Sequence, residues 1–361
     1  MSELTLNIGP QHPGSGHFRL IVCVDGDTIT KATPDPGYVH RGVEKQAEYR
    51  EYLQNIPLLE RPVISDSNGS VYAYVLAVER LAGLVVPERA QYIRVLMAEL
   101  NRIMSHLYWL AIYGIFLGHS TMFMWPFGDR EVMIDLAQRV MGARLTYSYF
   151  VPGGVRTDLP DGFKDEALRA IQFLEKRLAE YEAIFFRNPV FVERARGVGI
   201  LRPEDAIKLG VVGPTLRGSG IDADARKDEP YDSYDKLDFD VPVFREGDCC
   251  SRSLVRLEEI RQSIRIVKQV LDSIPSGPFR VTHSSVLKPS AGSVYARTEA
   301  ARGTYAYFII SQGGRTPYRL KISSPSFRNL PAFRFLMKGS HLADMPTIYW
   351  SLDYWPLEAD R

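Results

Sequence analysis

The chain has 361 residues, of which 45% are hydrophobic and 24% are charged, so it is long enough to bury a large core and has the composition of an ordinary globular protein. Its net charge of +1 and the lack of a basic run argue against a nucleic-acid partner. The first residues, MSELTLNIGPQHP, carry no signal-peptide pattern, so we expect a cytoplasmic protein. Cys23, Cys249 and Cys250 fit neither a disulfide framework nor a zinc site and are expected to be packing residues.

The N-terminal region, residues 1–41, is predicted to form β-hairpins. Strands are expected at residues 3–8, 17–24 and 28–32, and Asp25-Gly26 is the turn of the second hairpin. His12 and His17 fall in the loop of the first hairpin. An imidazole in such a loop titrates near neutral pH and suits a proton donor.

Residues 42–280 are predicted to form a helical bundle, because apolar residues recur there at helical spacing. The run without formal charge between Arg102 and Asp129 has an apolar core of only about eleven residues, whereas a membrane span needs about twenty. We therefore expect a buried helix followed by a turn. The helices are predicted from Gly42 onward, at Asn68 to Leu81, from Pro87, at Asp129 to Arg144, at Lys164 to Ile184 and at Arg252 to Ile274.

A long insertion, residues 186–248, is rich in glycine, proline and charge and is predicted to be irregular. Its GPTLRGSG stretch at Gly213 to Gly220 lacks the Lys-Ser/Thr pair of a phosphate loop, so nucleotide binding there is not favoured. Residues 281–361 are predicted to be a small β region with strands near 293–297, 304–311 and 317–323, a short helix at Leu330 to Met337 and a tail. The overall fold class is α+β and mainly α.

Two distant stretches, ERPVISDSNGSVYAYVLAVER at Glu60 to Arg80 and the last eleven residues SLDYWPLEADR, are expected to form halves of one site. Their layout resembles the large subunit of nickel-iron hydrogenases, in which a Cys-x-x-Cys pair precedes such a helix and a second pair closes the chain. The cysteine positions fall here on Val63 and Asp66, and on Trp355 and Glu358. Nickel needs thiolates that these side chains do not supply, so no metal is expected and a hydrogenase is excluded.

The chain instead resembles the sister family that reduces quinones, the 49-kilodalton (D or H) subunit of respiratory complex I and its archaeal and photosynthetic relatives. The resemblance runs through the whole chain, in GPQHP (9–13), HRGVEK (40–45), AYVLAVE (73–79), GPTLRGSG (213–220), DFDVPV (238–243) and TPYRLKI (316–322). It implies the hydrogenase-like fold and a quinone pocket without a redox centre of its own. Electrons would come from the 4Fe-4S cluster of a small partner subunit.

What the resemblance implies further is a peripheral subunit of a membrane-attached, ion-translocating oxidoreductase. Its partners would be the small iron-sulfur subunit, other peripheral-arm subunits and a membrane subunit, on the cytoplasmic or the equivalent thylakoid face. The acceptor would be menaquinone, plastoquinone or a phenazine. The donor stays open among NADH, a reduced deazaflavin and ferredoxin, because the input module, with any NAD binding, lies in other subunits. A non-catalytic scaffold is the alternative.

Three residues carry the implied quinone chemistry. Tyr74 matches the tyrosine that the resemblance assigns to the quinone head, whereas helical spacing alone favours a core residue. His12 is retained in GPQHP. The loop PGSGHFRL is one residue shorter than in the family, so His17 is the second histidine only if the loop shifts.

In the family that the chain resembles, an aspartate that supports the loop histidine stands at the position of Phe116. Either the proton route differs or His119 and Asp66 take part, although an aspartate in a Ser-Asn-Gly turn is more often a helix cap. Phe116 and Asp66 are therefore expected to line the quinone site.

The resemblance places two other positions near the partner's cluster. Arg41 matches an arginine there, and a fixed positive charge would raise the cluster's potential. Thr146 replaces a histidine of many relatives, which favours a low-potential acceptor such as menaquinone or a phenazine. The partner is expected to contact His40-Arg41 and the Gly153-Gly154 loop.

The last residues of the tail replace a pair of metal ligands by charged groups. A carboxylate buried near Arg61 would demand an ion pair, so a salt bridge that involves Glu358, Asp360 and Arg361 is expected. A role of these residues in protonation of the acceptor is the more specific alternative.

Overall fold

The computed structural model describes residues 4–12, 16–282, 284 and 286–361. Within these residues, no helix is both long enough and apolar enough to cross a membrane. The strands are β1 (Leu4–Ile8), β2 (Arg19–Asp25), β3 (Thr28–Asp35), β4 (Phe150–Val151), β5 (Gly154–Val155), β6 (Gly292–Ala300), β7 (Gly303–Ser311) and β8 (Arg319–Ser323).

The helices are α1 (Val43–Glu48), α2 (Asn55–Glu60), α3 (Ser67–Ala82), α4 (Glu88–Phe116), α5 (Ser120–Met141), α6 (Phe163–Tyr181), α7 (Pro189–Ala195), α8 (Pro203–Leu209), α9 (Pro214–Arg217), α10 (Ala225–Asp228), α11 (Cys249–Ser273), α12 (Pro325–Asn329), α13 (Phe333–Met337), α14 (Met345–Ser351) and α15 (Pro356–Asp360). A π-turn at Glu182–Phe186 extends α6. Short 3₁₀ turns lie at Tyr234–Lys236, Leu330–Ala332 and Leu342–Asp344.

The N-terminal region is the predicted antiparallel sheet, with strand order β1-β2-β3. Strand β2 alternates between half-buried and buried residues, as expected for a strand with one face on the core. Leu4 pairs with Val24 at one end of the hairpin and Ile8 with Leu20 at the other, so the loop that carries His12 and His17 lies at the second end. Residues 13–15 of that loop lie outside the described residues.

Helix α4 is the axis of the bundle and packs against α3, α5, α11 and α14. Every residue from Ile93 to Leu107 is buried, which is the pattern of a helix surrounded by other elements. The predicted turn after this helix is confirmed, but α5 begins at Ser120 and not at Asp129. His119 caps α5, because its Nδ1 accepts a hydrogen bond from the Met122 N–H at 3.3 Å, and this cap extends the helix further back than apolar spacing indicated.

The insertion 186–248 is less irregular than predicted, since it contains the four short helices α7 to α10. In its GPTLRGSG stretch, Gly213 adopts φ +69°, and an added Cβ would lie 2.3 Å from the carbonyl oxygen of Arg302. Arg217 of the same stretch is fully buried and ion-paired with Glu259 at 2.5 Å. This stretch is therefore a packing element against the turn between β6 and β7.

The C-terminal region contains the antiparallel sheet β6-β7-β8, and α3 packs across β6 and β7. Strand β6 is longer than the predicted 293–297, and the tail after Met337 contains two helices, α14 and α15, where none was predicted. One hydrophobic core runs from Phe18 in the N-terminal region through the bundle to Ala359 in the tail. The three regions of the chain thus share a single core.

A buried ion pair ties the bundle together beside this core. The Arg94 guanidinium donates to the Glu79 carboxylate on α3 and, at 2.8 Å, to the carbonyl oxygen of Val151. Glu79 also accepts a hydrogen bond of 2.7 Å from the Gly153 N–H. One carboxylate therefore positions α3, α4 and the β4–β5 turn together.

We expect Glu79→Gln to destabilise the assembled protein by about 3–5 kcal/mol, because it removes one partner of a buried pair. The midpoint of thermal unfolding in the purified complex measures this. Glu88→Gln is the matched control, since Glu88 pairs with Lys236 at an exposed site, where such pairs contribute at most about 1 kcal/mol. Equal shifts in the two variants would contradict the expectation.

Candidate functional site

The turn before α3 and the C-terminal tail meet around the guanidinium of Arg302, as the prediction of two halves of one site required. Arg302 Nη2 donates to Ser65 Oγ at 3.0 Å, and Arg302 Nε donates to the carbonyl oxygen of Asp353 at 3.1 Å. Asp353 also holds this guanidinium as an ion pair at 3.2 Å. The guanidinium lies 5.2 Å from the ring centre of Trp355. Arg302 therefore joins residues separated by more than half the chain.

Asp66 is a buried helix cap, which was the plainer of its two predicted roles. Its Oδ1 accepts a hydrogen bond of 3.3 Å from the Gly69 N–H at the start of α3, and its Oδ2 accepts one of 2.7 Å from the Ala301 N–H. A side-chain carbon at Gly69 would lie 2.6 Å from Oδ1, so glycine is needed at that position. The carboxylate thus connects α3 to the turn that carries Arg302.

Glu358 is also buried, and its carboxylate accepts hydrogen bonds from Ser326 Oγ and, at 3.2 Å, from the Ser326 N–H. Burial raises the pKa of Glu358 from 4.5 to about 7, although the positive charge of Arg302 opposes the shift. Between these two pH values the folded protein keeps a proton that the unfolded chain releases. Ionisation of Glu358 therefore lowers the stability of the fold as the pH rises from about 4.5 to 7.

The expected ion pair of the tail with Arg61 does not form, because Arg61 is exposed. Arg302 takes its place beside the buried carboxyls. Arg361 pairs with Glu44 at 3.5 Å and not with Glu358. Asp360 accepts hydrogen bonds of 2.9 Å from the Gly37 N–H, which attaches the tail to the segment before α1. These pairings depend on tertiary contacts that the order of residues in the tail does not reveal.

The four positions of the lost thiolates lie around this centre. Val63 is buried and apolar, and Trp355 stands edge-on to Tyr108 with ring centres 5.9 Å apart. Asp66 and Glu358 are the other two. Across the described ranges, no three His, Cys, Asp or Glu side chains converge as a metal site would require. A valine, a tryptophan and two carboxyls offer no soft donor for nickel.

The first hairpin loop lies over the tail. A side-chain carbon added at Gly16 would lie 3.8 Å from Cγ of Pro356. The ring of Phe18 packs against Tyr354 at 4.8 Å. His17, which stands between these two contacts, is exposed, and so is His12. The predicted loop histidines are thus held at the surface above the former thiolate positions.

Tyr74, in contrast, lies in the core between α3 and the C-terminal sheet. Its side chain is fully buried, its hydroxyl donates to the carbonyl oxygen of Tyr52 at 2.8 Å, and its ring contacts Tyr307. In this arrangement a quinone oxygen cannot reach the hydroxyl unless the bond to Tyr52 opens. The assignment of Tyr74 as a quinone ligand remains a prediction, and the structure favours the packing role.

Phe116 and His119 are placed at the end of α4. Phe116 stacks on Trp350 of α14 with ring centres 5.0 Å apart, so the position of the expected aspartate is used for packing. His119 caps α5 and lies edge-on to Phe185. Its described contacts do not include Asp66, so no relay between the two groups is formed in this structure.

The residues assigned to the neighbourhood of the partner's cluster differ in exposure. His40 and Arg41 are exposed, and Thr146 is half-buried in the loop after α5. Gly153 and Gly154, which were also expected to contact the partner, are buried inside this chain. Their loop packs on residues 279–281, where the Val281 N–H donates to the carbonyl oxygen of Gly153 at 2.9 Å.

Sequence reasoning missed Arg302 and Ile64. Arg302 stands in the tight turn Ala301-Arg302-Gly303, and an arginine between two apolar strands was a usable signal of a buried cation. Ile64 is 42% exposed in the turn between Val63 and Ser65, both of which are buried. A large apolar side chain directed outward beside the frame is a candidate wall for a ligand.

The fold and the site together define a class of protein: a mainly helical subunit in which a buried guanidinium joins the turn before α3 to the C-terminal tail. The chain matches the family described as respiratory-chain NADH dehydrogenase, 49 Kd subunit, over residues 117–291 and 283–361. It belongs to this family, as the sequence predicted.

Individual relatives cover nearly all of the chain. A subunit of the NADH-quinone oxidoreductase of Syntrophobacter fumaroxidans is 45% identical over 99% of this chain and 96% of its own length. The corresponding protein of Geobacter sulfurreducens is 40% identical over 99% and 98%. A solved chain of the membrane-bound sulfane sulfur reductase, an archaeal respiratory membrane complex, superposes with a TM-score of 0.96 at 37% identity and covers 99% of this chain and 98% of its own length. The predicted hydrogenase-like, mainly helical fold with small terminal sheets is confirmed.

We expect Tyr74→Phe to destabilise the protein by about 1–3 kcal/mol, because the carbonyl oxygen of Tyr52 loses a buried donor. The apparent KM for a quinone should stay unchanged. Thermal unfolding and quinone titration of the purified complex measure the two effects, and Tyr295→Phe, at a position of β6 that is 52% exposed, is the control. A tenfold or larger rise in KM without loss of stability would instead establish Tyr74 as a ligand, at about 1.4 kcal/mol per decade.

Proposed function

We propose that this chain forms the quinone pocket of a membrane-attached, ion-translocating oxidoreductase of the complex I type. It accepts electrons from the 4Fe-4S cluster of a small neighbouring subunit and delivers them to a quinone or a quinone-like carrier. The observation that carries the proposal is the frame around Arg302, in which none of the four positions aligned with thiolates offers a soft donor for nickel. A frame without a resident metal leaves binding, orientation and protonation of an external acceptor as its chemistry.

The pocket lies between the first hairpin loop and the tail. His17 is the proposed donor to one quinone oxygen, because the contacts of Gly16 with Pro356 and of Phe18 with Tyr354 fix it over the tail. Ile64 and Trp355 supply apolar walls for a flat ring. His12 is the alternative donor in the same loop.

The surface that carries Arg41 is the proposed docking face for the small iron-sulfur subunit. Large apolar side chains are exposed on the neighbouring segments, which is unusual for a surface without a partner. Glu60 connects two of these segments, since its carboxylate accepts hydrogen bonds of 2.7 Å from the Ser148 N–H and Oγ. The exposed residues are Tyr38, Tyr49, Ile64 and Leu145. Docking there closes the pocket. We further propose that the complex lies on the cytoplasmic face of the membrane or on the equivalent thylakoid face.

A second acceptor class has an observation in its favour. The membrane-bound sulfane sulfur reductase is a relative by both fold and identity, and its name specifies a sulfur acceptor. The side chain of Tyr74 is buried and its hydroxyl donates to the carbonyl oxygen of Tyr52, so a quinone would have to compete with that bond. Reduction of a sulfane sulfur compound by the same subunit is therefore the alternative function, and assay with both acceptors separates the two.

We expect His17→Ala to raise the KM for a menaquinone analogue by roughly one to two decades. Loss of one donor leaves a desolvated quinone oxygen unpaired, at a cost of about 1–3 kcal/mol. Turnover would be measured in the reconstituted complex, together with reduction of the partner's cluster by the input module. His341→Ala is the control, because that exposed histidine pairs with Asp27 on the far side of β3.

His12→Ala is expected to have the smaller effect in the same assay. If it has the larger effect, His12 is the ligand and the assignment within the loop is reversed. If neither variant changes the KM for the menaquinone analogue, while a sulfane sulfur substrate is reduced, the pocket serves the alternative acceptor.

The native complex should contain no nickel in this subunit and should neither evolve nor consume hydrogen. Val63, Asp66, Trp355 and Glu358 provide no thiolate. Metal analysis of the complex, combined with a hydrogen assay, measures both. Stoichiometric nickel that remains with this chain would overturn the proposal.

A further inference from the structure

Three buried carboxyl groups lie within electrostatic range of one guanidinium, although only Asp353 is in direct contact with it. Asp66, Asp353 and Glu358 are 3%, 2% and 1% exposed, and Arg302 is 2% exposed. The charge of Arg302 acts on all three, and Asp353 acts on it most strongly. If all three carboxyls were ionised, this buried cluster would carry a net charge of about −2, which a low-dielectric interior does not tolerate.

The other described cations near the tail form no ion pair with Glu358. Arg361 is paired with Glu44, and Arg61 is exposed. Arg256 of α11 is buried and acts electrostatically on Asp353, and its Nη1 donates to the carbonyl oxygen of Ser351 at 2.8 Å. Arg252 of the same helix is also buried and donates to Ser351 Oγ at 3.0 Å, so neither guanidinium is bonded to Glu358.

The hydrogen bonds show which carboxyl that is. Asp66 accepts two backbone N–H bonds, from Gly69 and Ala301, so both of its oxygens have a donor. Asp353 is paired with Arg302. Glu358 has only the N–H and the hydroxyl of Ser326, and the groups acting on it from neighbouring elements include two like charges, Asp66 and Asp353. The remaining titratable groups close to it are the buried phenols of Tyr305, Tyr307 and Tyr354.

A second, independent observation is that polar atoms at this place have no protein partner. Arg302 Nη1, Trp355 Nε1 and the Tyr354 hydroxyl are buried without a hydrogen bond to any protein atom of the described ranges. Buried donors of this kind bind water or another acceptor. A proton acceptor or donor beside Glu358 can thus hydrogen-bond to these fixed groups. Trp355 is half-buried, so part of its side chain lies at the surface below the hairpin loop.

We propose that the Asp66–Asp353–Glu358 cluster is a buried proton site in which Glu358 holds one proton beside Arg302. This site supplies a proton to the acceptor that is reduced above it. Only the delivery of the proton to the acceptor rests on the proposed function, and the proton site itself does not. Two electrons from the partner's iron-sulfur cluster and two protons convert a quinone to a quinol. The Glu358 carboxyl gives one of these protons by loss of its O–H, becomes a carboxylate and is protonated again from bulk water. The second proton reaches the acceptor from bulk water.

We expect the complex to show an infrared carbonyl band of a protonated, buried carboxyl near neutral pH, with the small downshift that exchange into D2O causes. Glu358→Gln should remove this band while the subunits stay assembled and the cluster stays reducible. Asp232→Asn is the matched control, because Asp232 is a buried carboxyl whose pKa is also raised by burial but which hydrogen-bonds with Tyr72, outside the Arg302 cluster. If the infrared difference between the unmodified complex and Glu358→Gln shows no lost carboxyl band, the proton site is overturned.

The second measurement concerns delivery. In Glu358→Gln, quinone turnover should fall about tenfold or more at neutral pH with an unchanged KM, since binding does not use this group. Glu358→Asp, which keeps a titratable group, should restore part of the turnover and shift its pH profile. If the band is lost but turnover and its pH profile stay as in the unmodified complex, the cluster holds a proton that does not reach the acceptor, and the delivery half of the proposal is refuted.

Discussion

The guanidinium of Arg302 is the contact on which the site depends. It binds Ser65 of the turn before α3 and Asp353 of the tail, and it lies against the ring of Trp355. In a hydrogenase these two segments would be joined by metal–thiolate bonds. Here a buried cation, with carboxyls on both sides, holds the same two segments together. The replacement keeps the two segments together, but their attachment now depends on the charges of Arg302 and the neighbouring carboxyls and on the burial of these groups. The protonation state of the carboxyls therefore affects the stability of the site.

Buried charged side chains also connect the helices of the bundle. Helices α4 and α11 bury a network of ionised side chains where a mainly apolar interface was expected. Burial opposes the ionisation of Glu99, yet Arg102 and Arg226 lower its pKa to about 2, and hydrogen bonds of 2.6 Å from Tyr234 and Ser263 assist. Glu259 is held between Arg217 and His106, and burial lowers the pKa of His106 although that carboxylate opposes the shift. Such networks contribute less to net stability than to a unique register, because each removed partner leaves an unpaired buried charge.

The errors of sequence reasoning came from contacts between distant parts of the chain. The assignment of Tyr74 to the quinone is not among these errors and remains a prediction, although the Tyr74 hydroxyl donates to the carbonyl oxygen of Tyr52 in this structure. Gly153 and Gly154 were expected at a partner surface, but Glu79 and residues 279–281 bury them. The start of α5 and the two helices of the tail were missed, because His119 and Pro356 act as caps or first-turn residues that apolar periodicity does not detect.

The sequence by itself determined the family, the loss of the nickel ligands, the hairpin region and the main helices, because residue identity and apolar period are local properties. The joining of the turn at Val63–Asp66 to Trp355–Glu358 was also predictable, since resemblance aligned both halves. Only the tertiary structure decided that Arg302 and not Arg61 is the central cation and that Arg361 pairs with Glu44. It also decided that Glu358 forms no ion pair within the described residues. Which charge lies beside which carboxyl depends on packing across the core, and that placement decides where the protein can hold a proton.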